Sequence, residues 1–445
     1  MEIFDLVPSF GNFLYTIAAF VIALSVIVAV HEYGHYIVGR WCGIKADVFS
    51  LGFGPVLFAR EDRHGTVWQV AALPFGGYVK FMGDANAASA GDDGSLDEMD
   101  AATRRQTMHG APLWARAATV AAGPVFNFIL SILVFAAILM FRGIAADPLT
   151  VDELRDVPGA EAQLMAGDEV LSIAGVETPS VEAFGDFIDT LPQEAVLDYE
   201  VRRDGRILTV EAPHPQPALV ASLTPGSAAM EADLRIDDVI TSVDGTGVST
   251  FEQLREIVGA SEGAALDLEV WRAGETLDFT LQPRSMDLPL ADGGFETRYL
   301  IGITGGLLFS PMTETPGPWA AAQYGIDQTW FIMKSSLSGL YHMAVGAISS
   351  CNLRGPVGIA QTSGAAASQG LTSFIWFIAV LSTAVGLLNL FPIPILDGGH
   401  LVFHAYEAVT GRPPSDQALR VLMAIGLTLI ATLMVFALTN DFRCP

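Results

Sequence analysis

Four apolar stretches, Phe13–Val30, Trp114–Phe141, Phe374–Phe391 and Leu419–Leu438, set the first limit on this chain. A helix rises about 1.5 Å per residue, so about 20 apolar residues cross a hydrocarbon layer, and each stretch comes close to or exceeds that number. Backbone amides inside a bilayer find no water, so such stretches must be helices. Composition agrees. Of 445 residues, 51% are apolar and 16% charged, where soluble domains carry about 25% charged residues. A wholly soluble fold is excluded, and the expected class is a multi-span α-helical membrane protein with four transmembrane helices. The first stretch is preceded by the acidic Met1-Glu2-Ile3-Phe4-Asp5 and followed by His31-Glu32-Tyr33-Gly34-His35. A secretory signal needs a basic start and a small-residue cleavage site, so this stretch is expected to stay as a helix.

Charge divides the chain further. With 23 Lys+Arg against 49 Asp+Glu, the net charge of −26 offers no basic footprint for a phosphate backbone, so nucleic acid is not an expected partner. Residues 143–370 alone hold 11 Lys/Arg and 33 Asp/Glu, which marks an acidic soluble insert between the second and third spans. The loop 40–116 carries eight basic residues, Arg40, Lys45, Arg60, Arg63, Lys80, Arg104, Arg105 and Arg116, at twice the density of the insert. Basic loops stay in the cytoplasm, which puts this loop inside and the insert and both termini outside.

Between the spans, Val48–Phe58 and Thr66–Leu73 flank a polar turn, Glu61–Gly65, and read as a β-hairpin. It is too apolar for water on both faces, and is expected to dip into the membrane where its backbone is covered by protein. In the insert, Pro158-Gly-Ala-Glu-Ala and Gly167–Gly175 recur as Pro225-Gly-Ser-Ala-Ala and Asp237–Gly245. Two copies of one small β/α module follow from this repeat, and its pattern resembles the PDZ module, which binds chain ends by adding a strand to a sheet edge. The expected order is 1–40, first helix with HEYGH; 41–83, membrane re-entrant hairpin; 84–112, cytoplasmic linker; 113–143, second helix. Two PDZ-like domains follow at 147–215 and 216–285, then an amphipathic helical segment at 286–370. The third helix occupies 371–398, and a cytoplasmic loop with the fourth helix occupies 399–445.

Chemistry gathers at the end of the first helix. Residues i and i+4 share a helix face, so His31 and His35 can reach one Zn²⁺ while Glu32 beside them takes a proton from water. Three ionisable groups at the end of an apolar span point to an intramembrane site. The plainer alternative places both histidines at the interface, with Glu32 facing the cytoplasm. Catalytic zinc takes three protein ligands and leaves a position for water. The third is expected from Asp397 in Asn389-Leu-Phe-Pro-Ile-Pro-Ile-Leu-Asp397-Gly-Gly, where prolines unwind the chain and glycines let it turn. A helix-capping or turn role competes for Asp397, and His400 and His404 are rival ligands. His64, His109, His214 and His342 have no partner at ligand spacing and read as surface or interface residues. Cys42, Cys351 and Cys444 form neither a disulfide framework nor a zinc knuckle, so His and carboxylates must hold any metal.

Together HEYGH, Asn389–Gly398, the PDZ-like pair and Leu353-Arg-Gly-Pro-Val-Gly-Ile-Ala360 resemble the site-2 protease family of intramembrane zinc metalloproteases, most closely its regulator of sigma-E type. Phe49–Pro55, Pro74–Lys80 and Gly123-Pro-Val-Phe-Asn127 extend the likeness over nearly the whole chain. Tyr33, commonly Phe in the family, departs without touching a ligand. The resemblance implies Glu32 as the catalytic base, His31, His35 and Asp397 as ligands of one Zn²⁺, and Asn389 as a substrate-binding residue, against a plain capping role. Asn127 is either functional or an amide bridging helices. Implied substrates are transmembrane segments of single-pass membrane proteins, such as an anti-sigma factor trimmed by an upstream site-1 type protease, and remnant signal peptides. Implied surroundings are the lipid bilayer of a bacterial inner membrane, with the active site near the cytoplasm and the PDZ-like pair in the periplasm, as substrate capture or size filter. A catalytically inactive scaffold binding partners through those domains is the alternative, opposed by Glu32, which a structural metal site does not need. Metal transport would require more ionisable residues on several spans.

Overall fold

The computed structural model describes residues 6–84, 99–158, 163–224, 226–290 and 294–444. The chain forms two compact units, one of Met1–Ile138 with Trp319–Pro445 and one of Leu139–Pro318. Helix α1 (Leu6–Trp41) continues past its apolar run through HEYGH without a break. Strands β1 (Ala46–Glu61) and β2 (Val67–Phe81) then pair antiparallel as a two-stranded sheet. Its base packs on α1, with Phe49 stacked on Trp68 at 4.3 Å and Trp68 meeting Tyr36 at 5.0 Å between ring centroids. Its distal half leaves Phe53, Val56, Leu57 and Phe58 exposed.

Of the linker expected at 84–112, residues 85–98 lie outside the described residues. A short helix, α2 (Ala101–Arg104), is capped by Asp100 accepting from the Thr103 N–H, and α3 (Leu113–Arg142) follows. On α3 the buried residues Ala115, Thr119, Gly123, Asn127, Ser131 and Phe135 recur every fourth position, which lines them along one face.

The acidic unit starts with β3 (Ile144–Ala145) and β4 (Val151–Leu154). A sheet follows of β5 (Glu169–Ile173), β6 (Val176–Glu177), β7 (Val196–Arg203) and β8 (Arg206–Pro213), in the order β6-β5-β7-β8, with α4 (Phe184–Ile188) between β6 and β7. Then come β9 (Val220–Leu223) and α5 (Ala228–Glu231). A second sheet, of β10 (Val239–Val243), β11 (Thr246–Gly247), β12 (Leu266–Arg272) and β13 (Glu275–Leu281), has the order β11-β10-β12-β13, with α6 (Phe251–Ala260) between β11 and β12. Each sheet closes over its own core, the first around Ile173, Tyr199 and Val201, the second around Ile240, Leu254 and Leu268. A fork of two hydrogen bonds ties Arg203 to the buried Asp168, at 2.6 Å each, and Arg272 to the buried Asp238, at 2.6 and 2.7 Å. Parts of the repeat, Pro225 and residues 159–162, lie outside the described residues.

Residues 286–317 correct the expectation of a helical segment starting at 286. Strand β14 (Arg284–Pro289) pairs with β15 (Phe295–Leu300), β16 (Ile303–Gly305) with β9, β17 (Phe309–Pro311) with β4, and β18 (Thr313–Glu314) with β3. Apolar residues alternate here with period two, as in Met286 and Leu288, which suits a strand and not a helix. Leu308 and Phe309 complete the first core and Ile301 the second, so boundaries at 215 and 285 leave both cores unfinished. Helix begins only with α7 (Pro318–Ala344), where a proline at the start gives up no intrahelical bond.

Three further helices, α8 (Pro356–Ser368), α9 (Leu371–Asn389) and α10 (Asp397–Thr410), precede α11 (Asp416–Arg443). The third helix, expected over 371–398, ends at Asn389, and residues from 399 on, expected as loop, are helical to Thr410. They form α10 because Asp397 adds a favourable negative charge in the first turn and Gly411 supplies the left-handed stop. Among the described residues four helices are long and apolar enough to cross a membrane: Phe13–Trp41, Leu113–Arg142, Leu371–Asn389 and Gln417–Arg443. The cysteines bring a further correction. Cys351 and Cys444, 93 residues apart, form a disulfide, while Cys42 is free. Residues around them hold the two segments together, since Asp441 accepts from the Gly355 and Val357 N–H groups at 2.7 and 3.0 Å.

Candidate active site

Helix α1 sets the imidazoles of His31 and His35 edge to face, with centroids 4.8 Å apart and Nε2 atoms 3.2 Å apart. The opposing group arrives from the far end of the chain. Helix α9 ends at Asn389, Pro392 and Pro394 prevent it from continuing, and the chain re-enters helix at Asp397. The Asp397 Oδ2 lies 3.1 Å from His31 Nε2 and 3.5 Å from His35 Nε2. Leu396, not Asp397, is the N-cap residue, and the carboxylate points to the imidazoles. Arg116 of α3 ties down the last turn of α10, through two hydrogen bonds to Glu407 at 2.6 and 3.1 Å.

These residues fit a zinc ion. Corners of a tetrahedron lying about 2.0–2.1 Å from a central zinc are about 3.3 Å apart. The three donor atoms stand 3.1, 3.2 and 3.5 Å from one another, and two imidazole nitrogens with one carboxylate oxygen leave a fourth corner open. His31, His35 and Asp397 are the one group of such spacing among the described residues, and His400 and His404 fall outside it.

The buried face of α3 supports the pair from below. The Thr119 carbonyl lies 2.8 Å from His35 Nδ1, and the Asn127 side-chain amide lies 3.2 Å from His31 Nδ1. Between them Gly123 leaves room for the rings, since a Cβ there would sit 2.4 Å from His35 Nε2 and 2.7 Å from His31 Nε2. Glu32 faces β2. At Gly77 a Cβ would lie 3.1 Å from Glu32 Cγ and 2.9 Å from Val28, so only glycine lets the strand come this close. Asn389 donates to the Val385 carbonyl, one turn earlier, at 3.1 Å.

The remaining histidines separate. His64 meets Arg40 at 2.6 Å, His109 lies 3.5 Å from Asp84, and His342 bonds the Ser338 carbonyl at 2.8 Å. His214, expected at a surface or interface, is buried, and its Nδ1 accepts from the Gln216 N–H at 3.2 Å. Burial holds its imidazole below the ordinary pKa. Sequence reasoning also missed Thr119, Gly77 and the Arg116–Glu407 tie. The four-residue spacing of Ala115, Thr119, Gly123 and Asn127 hinted at Thr119 alone.

The sequence that builds this geometry has relatives. The model of peptidase family M50 matches residues 19–433, and the chain belongs to that family. It is a membrane zinc metalloprotease. A candidate zinc metalloprotease of Agrobacterium fabrum is 36% identical, covering 96% of this chain and 95% of that protein. One of Rhizobium meliloti is 36% identical over 97% of both chains. The Escherichia coli regulator of sigma-E protease RseP is 32% identical, covering 97% of this chain and 99% of its own.

Proposed function

We propose that this chain cleaves peptide bonds inside the transmembrane segments of single-pass membrane proteins, with His31, His35 and Asp397 holding one zinc ion and Glu32 as the base. The carrying observation is the convergence of three donor atoms within 3.5 Å of one another, two on the apolar helix α1 and one at the start of α10, with Glu32 beside them against a strand. Zinc held there would polarise the scissile carbonyl and bring the pKa of a bound water towards about 7. Glu32 accepts the proton of the attacking water and delivers it to the leaving amine. A helical substrate must unwind first, and the β1–β2 sheet is where the unwound segment adds as a strand. Asn389 then hydrogen-bonds the substrate backbone through the part of its amide that Val385 does not use.

In this reading the two four-stranded sheets are PDZ-like modules in the periplasm of a bacterial inner-membrane protein. They receive or screen a substrate already trimmed by a site-1 type protease, such as an anti-sigma factor in envelope stress signalling, and remnant signal peptides are a second substrate class. The name of the Escherichia coli relative supports the signalling role. Cells expressing a trimmed, tagged anti-sigma-type substrate test the proposal. Wild-type chain is expected to release the fragment and Glu32→Gln, at equal expression, to release none. Equal fragment from both would assign the cut to another protease.

A further inference from the structure

His31 can offer Nε2 to a metal only as the tautomer that keeps its proton on Nδ1. For His35 the same requirement is met by a group that can only accept, the Thr119 carbonyl 2.8 Å from Nδ1. His31 Nδ1 has a less decided neighbour, the amide of Asn127, whose Nδ2 stands 3.2 Å away while its Oδ1 has no hydrogen-bond partner among the described residues. That amide is fully buried, and among the described residues His31 is the single hydrogen-bond partner of its side chain. The backbone of Asn127 is anchored separately, its carbonyl accepting from Ser131 and from Ser382 of α9 at 3.0 Å each. The side chain therefore does not bridge α3 to α9; the backbone does that, and the amide is left for His31.

An asparagine amide can face a ring nitrogen with its NH₂ or with its oxygen, and the two have nearly the same shape. With NH₂ towards His31, Nδ1 becomes an acceptor and the proton moves to Nε2, where it blocks the metal. With the oxygen towards His31, Nδ1 donates and Nε2 carries the lone pair. Resting on the zinc reading given above, we propose that Asn127 is a positioning residue, its amide oxygen accepting from His31 Nδ1–H and holding His31 in the tautomer that binds the metal. Both ring-fixing acceptors then come from one face of α3, eight residues apart, with Gly123 midway.

Full-length protein purified in detergent and stripped with a chelator tests this through zinc affinity, read by competition with a chromogenic chelator. Asn127→Leu, similar in size with no acceptor, is expected to weaken zinc binding about 10- to 100-fold, as loss of such supporting hydrogen bonds does elsewhere. Asn127→Asp, which can only accept, is expected to stay within about threefold of wild type. Leu at wild-type affinity, or Asp as weak as Leu, overturns the proposal. A variant of lower intrinsic stability is still decided by the rise in unfolding temperature on adding zinc, because that rise measures binding to whatever folded protein is present. A wild-type rise in Asn127→Leu overturns the proposal; a diminished one supports it. His31→Ala separates the two levels of the argument. Tight zinc binding by that variant would remove the zinc reading itself, whereas loss there with wild-type affinity in Asn127→Leu would remove only the role of Asn127.

Discussion

Gly123 leaves no slack beneath the two imidazoles, because a single added methyl would overlap both Nε2 atoms at 2.4 and 2.7 Å. Relief must come from turning the rings or moving α3 away from α1, and either change spoils donor spacings that now lie between 3.1 and 3.5 Å. Gly123→Ala is expected to lower zinc affinity at least about tenfold while the helices still insert and fold, since alanine favours helix over glycine. Zinc content after dialysis against a weak chelator checks this, and a fully loaded Gly123→Ala protein would contradict it. Residues of this kind are hard to read in sequence. His31 and His35 announce themselves by their spacing on a helix, and Asp397 by the proline and glycine pattern around it. Gly123 and Thr119 act through an absent side chain and a backbone carbonyl, so their residue types carry no chemical signal. Asn127 shows an amide but not its neighbour, which only the packing of α3 on α1 supplies.

At the scale of elements, the Asp168–Arg203 fork braces the first sheet of the acidic unit in the way Asp238–Arg272 braces the second. Burial alone would raise the Asp168 carboxyl, but the Arg203 hydrogen bonds, the Met165 N–H and the Arg203 charge together hold it below its ordinary pKa. A carboxylate with a depressed folded pKa contributes stability that is fully present above its unfolded value, about 3.9, and is lost as pH falls below it. Pepsin digestion of membranes should therefore cut the acidic unit increasingly as pH drops below about 4. Asp168→Ala is expected to be cut already at the upper end of that range, having lost about 2–3 kcal/mol, between the values for exposed and fully buried pairs. Identical digestion profiles for the two proteins would refute the role of the fork. Its aspartates were visible in the repeat, at Gly167-Asp168 and Asp237-Asp238. Elements differed in legibility for a similar reason. The apolar helices could be read because each carries its whole signal locally, in about 20 residues. Strands β16, β17 and β18 are two or three residues long, and their partners β9, β4 and β3 lie 80 to nearly 170 residues back. Nothing local distinguishes them from loop. Cys351 and Cys444 were unreadable for the same cause, being brought together by the packing of α11 against the start of α8.

Taken as a whole, the molecule offers two independent arguments for how it lies in a bilayer, and they agree. Eight basic residues between 40 and 116 favour a cytoplasmic loop between the first two spans. With four spans, this puts the segment before α8 and the end of α11 on the opposite side. That is where the Cys351–Cys444 disulfide joins them, and disulfides persist on the oxidising side of a bacterial inner membrane, not in the reducing cytoplasm. Cys42, directly after α1 and free, sits on the basic side. A membrane-impermeant maleimide applied to intact spheroplasts should then label neither Cys351 nor Cys444 before reduction and both after an impermeant reductant. Cys42, followed in a Cys351→Ser/Cys444→Ser double variant, should react only once the membrane is opened with detergent. Labelling of Cys42 in sealed spheroplasts would invert the orientation. It would also place the donors of α1 and the start of α10 nearer the outer side of the membrane, where a cut would free the outer fragment and leave the cytoplasmic one anchored by most of its span. The sidedness of one cysteine thus decides whether the proposed cleavage can signal to the cytoplasm.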